Sequence, residues 1–259
     1  MTAIDSEHLV EAEHEHDEGG APERHPSLGT GASPSPDLRP NGVNHLAIAT
    51  RDMKAQLEFW GDVMGCPTKG LFWMHGVEGA FHAFVELAPG CWLSFVQRPD
   101  NPAEPTWGVS HAGNAASPVT AGAMQHVAVN VDTLDELLTM RDRIRSRGIQ
   151  VMGPLNHGFC QSIYFAGPEH TSLEVCCGGA LDEERWIDPE VRDLCGIDAD
   201  EMEALKHPAP FRRPDEPVAQ PPLDPSKPTM GYPPAVLEAI MSTPDVEMWD
   251  RVESTPPVP

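Results

Sequence analysis

Two histidines and one glutamate stand where a metal ion could use them. His45 lies in "VNHLAIA" and His126 in "MQHVAVN", stretches that read almost alike 81 residues apart. Each has an apolar residue, an amide side chain, the histidine, and then an alternating small and aliphatic run. Glu174 is the lone charge in "SLEV", where alternation puts Ser172 and Glu174 on one face and Leu173 and Val175 on the other. A carboxylate within an apolar strand is costly unless it is paired or bound to a metal. Taken singly, each of the three fits a hydrogen-bonded core residue. Taken together, at matched places in a repeat, they form a 2-His-1-carboxylate face that holds a divalent ion and leaves coordination positions open.

Those residues need elements to position them, and the repeat supplies the elements. In the first copy, His45, Ala47 and Ala49 share one face of a half-buried strand, and Leu46 and Ile48 share the other. Met53, Leu57, Trp60 and Met64 then recur at helical spacing, and Gly65 is a stop signal. "LFWMHGVEGAFHAFVELAPGCWLSFVQ" reads as three short strands broken by turns. The second copy runs the same course. "MQHVAVNV" is a strand, residues 132–148 are a helix with Asp132 as N-cap, and "IQVMGPL", "QSIYFAGP" and "TSLEVCC" are strands. The register holds to the end, with Phe84 lying 80 residues before Tyr164 and Ser94 lying 80 before Glu174. The expected fold is α+β: two tandem βαβββ modules, at about 41–98 and 123–180 with a linker over 99–122, forming a cup-shaped mixed sheet. A pseudo-two-fold is expected to bring His45 and His126 toward each other in the cup.

Composition bounds what surrounds this middle. The net charge is -23, yet residues 41–180 hold 13 acids and 8 bases, so most of the acidity is in the flanks. No basic face is offered to nucleic acid. No apolar run approaches the length of a membrane span, and the acidic start lacks the pattern of a signal peptide. The six cysteines show no Cys-x-x-Cys spacing, which argues for a reducing cytoplasm over a disulfide framework. Residues 1–40 read as a disordered acidic tail in which His8, His14 and His16 are solvated. Residues 181–259 are expected to hold one or two short helices, then a proline-rich arm with a helix at "PPAVLEAIMST".

Residues 41–180 resemble the vicinal oxygen chelate superfamily, which includes glyoxalase I, type I extradiol dioxygenases, methylmalonyl-CoA epimerase and the fosfomycin resistance enzymes. The resemblance rests on "VNHLAIA", "MQHVAVN" and "HGFCQSIYFAGPEHTSLEV" and covers a little over half of the chain. Glyoxalase I and the epimerase usually add a fourth ligand, a glutamate at the place of Ser94, and serine is a poor ligand for a divalent ion. The remaining set of His45, His126 and Glu174 is similar to that of extradiol dioxygenases. The resemblance therefore implies Fe(II), with Mn, Zn, Ni or Co as other occupants, and a catechol-like substrate with O2 as co-substrate. It implies that Tyr164 bonds the bound substrate. The acid-base histidine that extradiol enzymes carry near the end of the first module is missing from "GCWLSFVQ", and His82 and His157 are its substitutes, with His75 a third choice. Phe84 and Ser94 are expected at the substrate, and His111 is expected to face solvent or to anchor a loop. A non-redox lyase or isomerase is the alternative, for which Glu86 would supply the fourth carboxylate; a metal-free binding protein like the bleomycin resistance members is a third reading. Members of the superfamily build the cup within one chain or by exchange between two, so a homodimer is one of the arrangements the sequence allows.

Overall fold

Alternation in the first copy does produce a strand. A computed structural model describes residues 38–252 and 254–258; the histidines of the acidic tail lie outside these. Strand β1 (His45–Thr50) is followed by helix α1 (Met53–Glu58), whose N-cap Asp52 accepts from the Ala55 amide. The helix widens into π-type turns over Phe59–Met64 and stops at Gly65, which has φ 81°, a left-handed conformation that suits glycine. Strands β2 (Thr68–Trp73), β3 (Phe81–Ala88) and β4 (Cys91–Gln97) complete a sheet of order β1-β4-β3-β2. The second copy repeats this with β5 (Val127–Asn130), helix α2 (Leu134–Ser146), β6 (Met152–Asn156), β7 (Cys160–Ala166) and β8 (Ser172–Gly178), in the order β5-β8-β7-β6. In each sheet the first strand pairs in parallel with the last and the rest are antiparallel. The fold is two tandem βαβββ modules.

Two details differ from the sequence reading. The cap of α2 is Thr133, not Asp132: its hydroxyl accepts from the Glu136 amide while the Glu136 carboxylate reaches back to the Thr133 amide. This reciprocal box satisfies two otherwise orphaned donors, which a lone aspartate one residue earlier cannot do. Past residue 180 there are three short helices where one or two were expected: α3 (Glu183–Trp186), α4 (Pro189–Leu194) and α5 (Ala199–Lys206). The compact unit containing both modules comprises residues 41–74 and 79–207. Trp186 packs edge-on against Phe159, and this ties α3 to the second module.

A second unit holds residues 75–78 and 208 onward. It contains the expected helix, α6 (Pro234–Ser242), and an unforeseen one, α7 (Asp245–Val252). No helix among the described residues is long and apolar enough to cross a membrane.

Each sheet has two chemically distinct faces. On the first, Leu46, Ile48, Ala83, Val85, Leu93 and Phe95 turn to the helical side, and Trp60 lies against Phe95 with ring centroids 6.2 Å apart. On the second, Val127, Ile163, Leu173 and Val175 do the same beneath Leu137 and Ile144. These residues form one continuous core across both modules, and truncating Leu137 or Ile144 to Ala would cost about 2–5 kcal/mol. The helices of the two modules also meet: Arg143 of α2 donates to the Val63 and Asp62 carbonyls at the end of the first helix, and Arg147 is paired with the Asp62 carboxylate. A cation at that end satisfies orphaned carbonyls and complements the helix dipole. The opposite face of each sheet carries the residues singled out for chemistry.

Candidate metal centre

Register places the chemistry-bearing residues on that opposite face. In the second sheet, Ala128 of β5 is beside Glu174 of β8, and Glu174 is beside Tyr164 of β7. His126 immediately precedes β5, and its Nε2 is 3.0 Å from Glu174 Oε2. The Glu174 side chain is only 7% exposed, against 31% for His126, so this carboxylate is largely removed from water. Tyr164 lies over the same spot, its ring centroid 6.2 Å from that of His126. Its hydroxyl is 3.0 Å from His157 Nε2, a hydrogen bond whose donor is set by the ring tautomer. Burial first, and the Glu174 charge second, push the Tyr164 pKa up to about 12. The phenol is thus a donor at neutral pH. His126, Glu174, Tyr164 and His157 form one continuous line.

The first sheet bears a different group. His45 packs edge-on against Phe84 at 5.6 Å between centroids, Phe84 stacks on Phe72, and His82 touches both phenylalanines. Burial, and then the neighbouring His45 ring, hold the His82 pKa below its ordinary value. Ser94, at the place of Glu174 in the repeat, is 2% exposed and sits beside Phe84. Glu86 is paired with Lys69 Nζ at 3.2 Å. His111 is bonded to Ser110 and packed edge-on against Trp107.

Each histidine of the repeat is held in the same way. His45 Nδ1 donates to Asn44 Oδ1 at 2.8 Å, and His126 Nδ1 donates to Gln125 Oε1. An imidazole whose Nδ1 carries the shared proton presents a lone pair at Nε2, the form in which histidine ligates metals. In His126 that lone pair faces a carboxylate oxygen, an arrangement compatible only with a proton or a cation shared between them. The donor set therefore fits a divalent ion of the kind that accepts imidazole and carboxylate. Sequence reasoning had noted the amides without giving them a role; the signal was their recurrence just before each histidine.

The three expected ligands do not gather within one chain. His126 and Glu174 are together, but no group of three metal-ligating side chains forms among the described residues, and His45 stays with the aromatic group of the first sheet. A cavity of the two modules, about 550 Å³, is lined by Ala47–Arg51, the linker around Asn101 and His111, and the turn at Glu169–Ser172. None of the candidate ligands lines it.

Residues 42–175 match the family model described as the Glyoxalase/Bleomycin resistance protein/Dioxygenase superfamily, just over half of the chain. The chain belongs to that superfamily. Among curated relatives it is similar to biphenyl-2,3-diol 1,2-dioxygenase 2 of Rhodococcus globerulus, 35% identical over 66 residues. That match takes in 25% of this chain and spans about a third (35%) of the relative's length. Solved structures to which the chain is similar include a glyoxylase/bleomycin resistance protein/dioxygenase domain from Frankia sp. EAN1pec, 14% identical, covering 54% of this chain and 99% of that one, with a TM-score of 0.45. Another is the fosfomycin resistance protein FosX of Listeria monocytogenes, solved with Mn(II) and sulfate; it is 17% identical, covers 57% of this chain and 100% of that one, and has a TM-score of 0.38.

Proposed function

We propose that this superfamily member is a metal-dependent dioxygenase of the extradiol type, acting on a catechol-like substrate with two neighbouring oxygens. The observation that carries the reading is the line on the second sheet: a histidine–carboxylate pair leading directly into a tyrosine–histidine hydrogen bond. The limited sequence similarity to a diol dioxygenase points the same way. His45, His126 and Glu174 would hold the metal, with Fe(II) the expected ion. When bound, that ion would acidify a coordinated hydroxyl and offer open positions to the substrate oxygens and O2.

The chain's own residues do the rest. Tyr164, kept protonated by its raised pKa, donates to a substrate oxygen and orients it. His157, bonded to that phenol, takes up or returns the proton. The Phe72–Phe84 stack gives an apolar wall for an aromatic ring. His82 lies against that wall, neutral at pH 7 because its pKa is lowered, and is an acceptor for a second hydroxyl proton. Ser94, a poor ligand for a divalent ion, stands where a fourth ligand would be. A lyase or isomerase reading would need that fourth carboxylate, and Glu86 is engaged by Lys69.

Anaerobic metal analysis followed by oxygen uptake with a panel of catechols tests the reading. Iron bound by the native protein and lost in His126→Ala and Glu174→Ala, with oxygen consumed on adding a catechol, is the expected result. Tightly held metal with no oxygen uptake on any vicinal diol would refute the dioxygenase.

A further inference from the structure

We infer that the cavity walled by Arg51, the linker and the turn at Glu169–His170 is a second binding site, built for a small organic carboxylate with an apolar body. None of the proposed metal ligands lines it, so the inference stands apart from the metal reading.

Size and wall chemistry come first. About 550 Å³ accommodates a small organic molecule. Ala47, Ala49, Pro102, Pro105, Ala112 and Met124 make one part of the wall apolar. Arg51, His111 and His170 bring a guanidinium and two imidazoles to the rest.

Arg51 decides the sign of the occupant. Its Nη1 donates to the Pro99 and Asn101 carbonyls at 2.6 and 2.9 Å, which fixes the guanidinium against the linker. Acids outnumber bases 40 to 17 in the chain, yet this guanidinium pairs with no carboxylate among the described residues. Nε and Nη2 therefore keep their donors, and a guanidinium edge matches the two oxygens of a carboxylate. The acids of the wall do not cancel this charge. Both Glu169 oxygens already accept, from the Thr50 hydroxyl, the Arg51 amide and Gln56 Nε2, and Glu104 is exposed on the linker.

The backbone around the cavity is specialised. Glu169 and His170 have φ 53° and 62°, two successive side-chain-bearing residues in the left-handed region. Strain of this kind gathers at ligand-binding positions. Its three bonds hold Glu169 there. His170 has no hydrogen bond among the described residues, and its ring packs edge-on against Trp107 at 5.4 Å between centroids. His111 packs on the same indole at 6.0 Å. The linker adds a second sign. Residues 98–126 contain no helix or strand, and a segment of that length inside a compact unit marks a functional loop. It is held by its own bonds: the Thr106 carbonyl accepts from the Val109 and Ser110 amides, and Gln125 Nε2 donates to the Asn114 and Ser117 carbonyls.

Titration calorimetry on the full chain tests the site, with phenylacetate and hexanoate as probes. One molecule of each should bind per chain with a Kd of about 1 mM or tighter. Phenylacetamide, which has the body without the charge, and inorganic phosphate, which has charge without the body, should each bind at least about 10-fold more weakly. Arg51→Gln should weaken phenylacetate by about 10-fold or more. Ala103→Trp sets an indole into the cavity from an exposed linker position and should abolish binding. Thermal melts verify that each variant is folded, and either variant locates the site if the other does not fold. Absence of saturable binding by both carboxylates would overturn the inference. So would phenylacetamide binding as tightly as phenylacetate, or carboxylate binding that folded Ala103→Trp or Arg51→Gln leaves unchanged, since the probe would then sit elsewhere.

Discussion

Gln125 accepts the Nδ1–H of His126, and Asn44 stands in the same relation to His45 81 residues earlier. Each amide precedes its histidine directly, so the backbone that enters the strand also aims the ring. Fixing Nδ1–H leaves Nε2 as the acceptor and selects the tautomer a metal needs. The duplicated Asn/Gln–His pair is thus a unit of two residues.

Replacing Gln125 with Leu removes the acceptor but keeps the approximate bulk. Metal affinity should fall about 10–100-fold, the usual cost of losing such an orienting partner. The fold should hold, because the Gln125 side chain otherwise bonds only loop carbonyls at Asn114 and Ser117. Metal titration of the variant beside its thermal melt checks both halves. An unchanged affinity would mean that the ring is aimed by the backbone alone.

Tyr164→Phe separates proton handling from metal holding. Only the hydroxyl is lost, and with it the bond to His157 Nε2. Metal content should be unchanged, while kcat/KM for a catechol falls by about 10²-fold or more. Steady-state kinetics on metal-replete protein decides it. If metal is lost instead, the phenol acts by holding Glu174 in place.

Glu169 clamps the two modules together. Its carboxylate accepts from the Thr50 hydroxyl, from the Arg51 amide at 2.6 Å and from Gln56 Nε2 at 2.9 Å. Thr50 and Gln56 are each 2% exposed, so their donors have no water to turn to. Glu169 itself has φ 53°, an unfavourable left-handed conformation for a side chain of this size. Glu169→Ala should destabilise the protein by about 3 kcal/mol, since two buried donors, on Thr50 and Gln56, lose their acceptor at once. Denaturant unfolding measures it, and Glu169→Gln, which keeps one acceptor, should recover part of the loss.

How much of this was legible in the sequence differs from element to element. The modules, the succession of their elements along the chain and the shared face of Ser172 and Glu174 followed from period-two alternation and an 80-residue register, because local pattern determines which side of a sheet a residue occupies. Thr133 was missed as a cap because Asp132 is an equally good capping type, and only the Glu136 back-bond separates them. The separation of His45 from His126 was not readable at all. Equivalent positions in a repeat share a local environment, but their distance depends on which faces the modules use to meet. Here that is decided by long-range contacts such as Arg143 with Val63. The α7 helix escaped notice because prolines on both sides masked its short run.

The Asp62–Arg147 pair makes the joint between modules sensitive to acid. A bidentate bond from the Arg147 guanidinium, at 2.8 and 2.9 Å, holds the Asp62 carboxyl below its ordinary pKa of 3.8. A depressed folded-state pKa means that the unfolded chain binds the proton more readily. The pair's stabilisation is therefore fully present above pH 3.8 and is lost as pH falls through the lower folded value. The carboxylate is exposed, so the effect is small and should fade further in high salt. Asp62→Asn should leave the melting temperature near pH 7 little changed and flatten its decline below pH 4 relative to the native protein. Melting curves across pH 2–7 at low and high ionic strength check this, and an equally steep acid decline in the variant would show that other carboxylates carry it.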